Sequence, residues 1–246
     1  MAVAFFVLPL AGLLTRTPWA ELLDQLTRPG VLTALRVSAV ASLGAVAISA
    51  VFGVPLALVL ARAEFPGKNL VRALTTLPMV LPPVVGGIAL LLAFGRRGLV
   101  GQWLDRWFGI SLPFTTVATV LAATFVSMPF FIITVEAGLR AMDRRLEDAA
   151  ATLGSSRWRT LWRITLPQVA PSLGAGAALC WVRALGEFGA TITFAGNLPG
   201  TTQTLPLAAY LALENQLEGA IVLSLIMLVF SLVVLVVLRD RWFPSS

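Results

Sequence analysis

The stretch Asp148-Ala149-Ala150-Ala151-Thr152-Leu153-Gly154, closed thirteen residues later by Leu166-Pro167, is a polar island between two long apolar segments. Six of the chain's eighteen basic residues surround it: Arg140, Arg144, Arg145, Arg157, Arg159 and Arg163. Within it, Leu146, Ala149, Ala150 and Leu153 recur at i, i+3, i+4 and i+7, the spacing of one apolar helical face. Asp143 is placed to cap such a helix, and Gly154 stands where a helix C-terminus favours positive φ. Beyond it, Trp158, Leu161 and Trp162 share one side of a second short segment. The island therefore reads as two short surface helices joined by a tight Gly154-Ser155-Ser156 turn. An ordinary amphipathic loop is the plainer reading of the same residues.

What flanks the island sets the fold class. Hydrophobic residues make up 58% of the 246, charged residues only 12%, and the mean hydropathy is +0.89. Soluble domains average about 25% charged residues. Five or six spans of about 20 residues fill this length and leave no room for a separate soluble domain. The expected class is all-α: a polytopic membrane protein of about six transmembrane helices, with residues 1–246 as one domain. The net charge of +6 and pI near 11.2 would suggest nucleic acid in a soluble protein. Here the bases adjoin apolar spans, where orientation and anionic lipid headgroups account for them, and no nucleic acid is expected. Cys180 lies inside an apolar run and reads as a structural thiol.

Six spans are expected, at 2–14, 35–61, 74–94, 115–138, 167–195 and 220–238. The first is short and interrupted by Pro9. No basic residue precedes it and no A-x-A-like site follows, which favours a short or tilted helix over a signal peptide. Small residues at Ser38, Ala41, Ser42, Ala45 and Ser49 predict a closely packed face on the second span. Pro78, Pro82 and Pro83 interrupt the third and are followed by Gly86-Gly87. Such breaks line a pathway or mark a plain kink. Leu99, Trp103, Arg106 and Trp107 suggest a short interfacial helix. Pro167 opens the fifth span at a favoured N1 position.

Lysine and arginine are unevenly shared between the two sides. Loops 62–72 and 139–165 and the C-terminus carry eleven bases, the opposite loops six. The richer side is expected to be cytoplasmic, placing the 139–166 loop and the C-terminus inside the cell.

Catalysis is not expected. The one lysine, Lys68, is followed by Asn69, so the chain holds no P-loop. There is no histidine, which removes Ser-His and Cys-His pairs and histidine metal sites; no cofactor is expected. Glu147 and Asp148 are adjacent, point roughly 100° apart on a helix, and suit a solvated face. Arg183 and Glu187, one turn apart, lie deep in an apolar span where a charge costs several kcal/mol unless paired or hydrated. They are pathway candidates; a structural ion pair joining two helices is the alternative.

Asp148-Ala149-Ala150, Gly154, Ile164 and Leu166-Pro167 resemble the EAA loop of ABC-importer permeases, E-A-A-x3-G-x9-I-x-L-P, with aspartate for the first glutamate. The resemblance implies a type I ABC-importer permease fold, in which residues 139–166 form a coupling loop that docks into a groove on a separate ATPase subunit. Glu147, Leu153 and the motif residues are the implied docking set. Arg183-Ala184-Leu185-Gly186-Glu187-Phe188-Gly189-Ala190-Thr191, Phe194-Ala195-Gly196-Asn197, Thr202-Gln203-Thr204-Leu205-Pro206-Leu207 and Leu77-Pro78…Pro82-Pro83-Val84-Val85-Gly86 are similar to molybdate permeases of the ModB type. Sulfate permeases share part of this pattern, whereas the Thr202–Leu207 run leans towards molybdate or tungstate. Implied with it are a bacterial or archaeal cell membrane, a second permease copy, a cytoplasmic ATPase dimer and an external oxyanion-binding protein. The implied pathway candidates are Arg183, Glu187, Thr191, Asn197, Pro82 and Pro83.

Overall fold

The computed structural model describes residues 1–242, without the side chains of 234, 235 and 237–242. The side chains of Arg239 and Arg241, the two C-terminal bases counted above, lie outside the described residues. In chain order the helices are α1 Ala2–Thr15, α2 Leu22–Thr27, α3 Pro29–Arg62, α4 Lys68–Val80, α5 Pro83–Phe94, α6 Gly101–Phe108 and α7 Thr116–Ala141. They continue with α8 Arg145–Thr152, α9 Arg157–Thr160, a π-helical turn Leu161–Thr165, α10 Leu166–Gln168, α11 Ala170–Leu185, α12 Gly189–Phe194, α13 Leu205–Asn215 and α14 Leu217–Trp242.

The centre is built by α3, α7 and α11. Lipid offers no hydrophobic drive between helices, so association depends on close packing of small residues and a few polar contacts. The small face of α3 supplies both: Ser38, Ala41, Ser42, Ala45 and Ser49 are all buried. Ala45, Ala123 and Ala184 meet, one from each of the three helices. The Cys180 thiol lies 3.4 Å from the Ser49 hydroxyl and 3.3 Å from that of Ser127. The indole of Trp181 donates to Ser42 at 3.1 Å, and Leu205 N–H donates to Ser38 at 2.7 Å. Cys180 is thus a buried packing and hydrogen-bonding residue.

Among the described residues, two helices are long and apolar enough to cross a membrane by themselves, α3 with 34 residues and α7 with 26. Other spans depart from the even pattern expected. The third, expected as one helix over 74–94, is two helices, α4 and α5, bent by 119°. Its cause is local: Leu81 (ψ 136) and Pro82 (ψ 132) are extended, the conformation favoured before a proline. The fifth, expected over 167–195, divides into α11 and α12 around Gly186-Glu187-Phe188. The 196–215 loop contains α13, which starts with Pro206 in its first turn. The stretch read as a short interfacial helix forms α6, with the Arg106 guanidinium 5.4 Å from the Trp103 ring centroid.

Candidate functional site

The island folds as two short helices around a left-handed glycine. The Asp143 carboxylate accepts from Arg145 N–H at 3.0 Å and so satisfies a free donor at the start of α8. At its end Gly154 adopts φ +77. Gly154 N–H donates to Ala151 C=O and Ser155 N–H to Ala150 C=O, the paired bonds of a Schellman ending. Ser156 then caps α9 through Arg159 N–H. Pro167 has no N–H to continue the helical ladder, and the preceding turn widens to π geometry.

The expected apolar face is largely open. Ala150 is buried, but Leu153 is 88% exposed and Trp158 69%, with Leu146 and Trp162 also exposed. Asp148 is exposed, and among the described residues its carboxylate has no hydrogen-bond or ion-pair partner. Glu147 differs from the solvated carboxylate expected. Arg62, at the end of α3, donates to one of its oxygens at 3.0 Å and makes an ion contact with the other at 2.8 Å, and the Thr165 hydroxyl donates at 2.6 Å. Ile164 and Leu166 are half-buried and Pro167 is exposed.

A second ionic cluster, not singled out from the sequence, stands nearby. Glu136, 7% exposed, accepts from Arg72 at 2.6 Å and from Arg140 at 2.9 Å. Arg140 also donates to Leu60 C=O at 3.0 Å, tying α7 to the last turn of α3. The i, i+4 spacing of Glu136 and Arg140 was the available signal; Arg72 comes from another helix and left none. In the adjoining loop the Lys68 ammonium donates to Glu64 at 2.8 Å. That bond and its charge, with smaller contributions from Arg140 and Arg72, hold the Glu64 carboxyl below the usual carboxylate range. Glu136→Gln removes the charge that two guanidinia share. It is expected to cost about 1–3 kcal/mol, read as a lower thermal midpoint of the detergent-solubilised protein. An unchanged midpoint would show that the cluster contributes nothing to the fold.

The two broken spans meet. In the break after α11, Glu187 is 2% exposed and uses both oxygens. One accepts from Arg183 at 2.8 Å, the other from Ala190 N–H at 2.8 Å in the first turn of α12. Glu187 is thus an ion-pair partner and a helix cap at once. Close glycine contacts hold α12 against α5. A β-carbon added at Gly189 would lie 2.8 Å from Pro83 Cβ, and one at Gly87 would lie 2.7 Å from Thr193 Cβ. Pro83, Arg183 and Glu187, chosen from separate parts of the sequence, are therefore gathered at one junction, with exposed Pro82 at its elbow. Thr191 is buried within α12. Asn197 lies beyond the end of α12, its Oδ1 buried with no hydrogen-bond partner among the described residues.

Residues 53–243 match the family described as the binding-protein-dependent transport system inner membrane component. The chain is 44% identical over 232 residues to the molybdenum transport system permease protein ModB of Mycobacterium tuberculosis, covering 94% of this chain and 88% of that protein. It is 45% identical over 185 residues to the Escherichia coli K12 protein of the same name, covering 75% and 79%. It is 37% identical over 212 residues to the sulfate transport system permease protein CysT of Escherichia coli K12, covering 85% and 76%. Among solved structures, a bacterial ABC transporter involved in the import of the acidic polysaccharide alginate shares the fold. It has a TM-score of 0.68 at 18% identity, over 98% of this chain and 91% of that one. An amino acid ABC transporter gives a TM-score of 0.58 at 20% identity, over 87% and 94%. The chain belongs to the family of binding-protein-dependent transport system inner membrane components and has the fold of ABC-transporter permeases.

Proposed function

We propose that this chain is the permease subunit of an ATP-driven importer of molybdate, with tungstate as an alternative cargo of the same shape and charge. The observation that carries the reading is the 44% identity to a molybdenum permease over 94% of the chain. The lower 37% identity to the sulfate permease ranks sulfate behind it. An external binding protein delivers the oxyanion, and one crystal structure with this fold has its transporter in complex with a ligand-bound periplasmic protein. A cytoplasmic ATPase dimer docks on the 139–166 loop, whose exposed Leu153, Trp158 and Trp162 offer an uncovered apolar surface. This orientation rests on the surplus of bases on that side. A second copy of the chain completes the pathway, and the two bundles alternate access by rocking.

At the junction of the broken spans, Arg183 faces the pathway and offsets the desolvation of a divalent anion, while Glu187 neutralises it at rest and prevents trapping. The side chain of Arg183 is 30% exposed, so it has an open side beyond its bond to Glu187. Chemistry is left to the ATPase, since this chain carries no nucleotide-binding loop of its own.

The test is ATPase activity of the chain reconstituted in liposomes with its ATPase and binding protein. Molybdate-loaded binding protein is expected to stimulate hydrolysis, and Ala150→Lys in the buried face of α8 to abolish that stimulation. Stimulation by sulfate but not molybdate would change the cargo; failure to associate with any ATPase would overturn the reading.

A further inference from the structure

Glu147 and Asp148 are neighbours in sequence and opposites in surroundings. Asp148 is exposed, its carboxylate without a partner among the described residues, whereas Glu147 turns inward to Arg62 and Thr165. The Arg62 guanidinium faces both of its oxygens, donating a hydrogen bond to one at 3.0 Å and making an ion contact with the other at 2.8 Å. This is the arrangement in which arginine gives direction as well as attraction. Thr165, 3% exposed, completes the set from the residue just before α10.

Three segments distant in sequence thus converge on one carboxylate: the last residue of α3, the first turn of α8 and the end of the π-helical turn leading into α11. Little else fastens α8, whose one buried residue is Ala150. The α3 terminus is held from a second side as well, since Arg140 donates to Leu60 C=O two residues earlier while bound to Glu136. Arg62 and Glu147 are each about four-fifths shielded, with 21% and 22% of their side chains exposed. The pair is therefore better protected from screening than an open surface pair, whose worth is near zero.

We infer that Glu147 is a positioning residue: it clamps the helix that docks the ATPase to α3 and, through Thr165, to the start of α11. Displacement of the docked helix then moves both membrane helices together. This inference rests on the permease reading above and adds a division of labour to it. Asp148 and the exposed apolar side chains face the ATPase, and Glu147 faces the chain's own bundle. Loss of the clamp leaves docking intact and loosens transmission.

The test uses the full complex of permease, ATPase and binding protein in liposomes. Three quantities are measured: ATPase recovered with the permease, basal hydrolysis, and molybdate imported per ATP consumed. Arg62→Gln and Thr165→Val are expected to leave the first two unchanged. The third should fall about fivefold for Arg62→Gln and about twofold for Thr165→Val, the range of couplings carried by packed contacts. Arg62→Glu, which sets two carboxylates face to face, should lose import altogether, and Arg62→Glu with Glu147→Arg should regain at least about half of it. Wild-type import per ATP in both Arg62→Gln and Thr165→Val would overturn the clamp, as would an exchange variant no better than Arg62→Glu alone. A wild-type chain that recovers no ATPase would instead strike the functional reading.

Discussion

Replacing Glu187 by alanine is expected to abolish molybdate uptake and to cost about 3–5 kcal/mol of stability, because it leaves a buried charge without its partner. Two losses coincide at this side chain. The Arg183 guanidinium, on α11, loses its 2.8 Å acceptor, and Ala190 N–H loses the carboxylate oxygen that caps α12. With no cap, α12 has only six residues, and among the described residues no other side chain accepts from an N–H in its first turn. Glu187→Gln separates the two roles. Its amide oxygen still accepts from Ala190, so the stability loss should shrink to about 1–3 kcal/mol. Arg183 then stands without a counter-charge. Uptake by Glu187→Gln should show both a lower maximal rate and a lower half-saturation, since the oxyanion is held more tightly and released more slowly. Thermal unfolding in detergent and uptake in vesicles measure the two effects separately. Wild-type uptake by Glu187→Ala would end the assignment of this pair to the pathway, and an unchanged midpoint would contradict the capping bond.

How much could be read before the fold was seen depended on whether the determinant was local. The island was legible because its signals are short-range. Gly154 terminates α8 through its own φ of +77, and Asp143 bonds a donor two residues on. The small face of α3 was legible because burial in lipid leaves a periodic composition, and all five of its named residues are buried. Glu147 was misjudged because helical geometry distinguishes it from Asp148 by direction alone. Which direction meets a partner depends on Arg62, 85 positions earlier in the chain. The breaks fared similarly. Pro82-Pro83 announced a disturbance, but neither its 119° amplitude nor the packing of α5 against α12 could be read from those residues. The break at Gly186–Phe188 has no proline to announce it. It is held by Glu187 as a cap, a role hidden behind the more conspicuous ion pair. The glycines that let the two breaks touch carry no local signal, since their partners are distant in sequence.

Those glycines give the second large effect. Gly87→Val is expected to cost about 3 kcal/mol or more and to eliminate uptake, through overpacking at a contact that cannot relax. A β-carbon at Gly87 would fall 2.7 Å from Thr193 Cβ and 2.8 Å from the Ala190 carbonyl oxygen. Ala190 is fully buried and lies in the turn fixed by Glu187, so the backbone has nowhere to withdraw. The neighbouring glycine supplies the control. A β-carbon at Gly86 would meet only the edge of the Phe125 ring at 3.1 Å, and a ring can turn aside. Alanine there also regains up to about 1 kcal/mol of helix propensity, so Gly86→Ala should be near neutral. Both substitutions change the same helix at adjacent positions, in the same membrane environment and with the same gain in propensity. A difference in thermal midpoint between Gly87→Ala and Gly86→Ala therefore reports the α5–α12 contact alone. Equal midpoints would mean that the two broken spans do not pack at Gly87, and the junction that gathers Pro83, Arg183 and Glu187 would lose one of the two contacts that hold it.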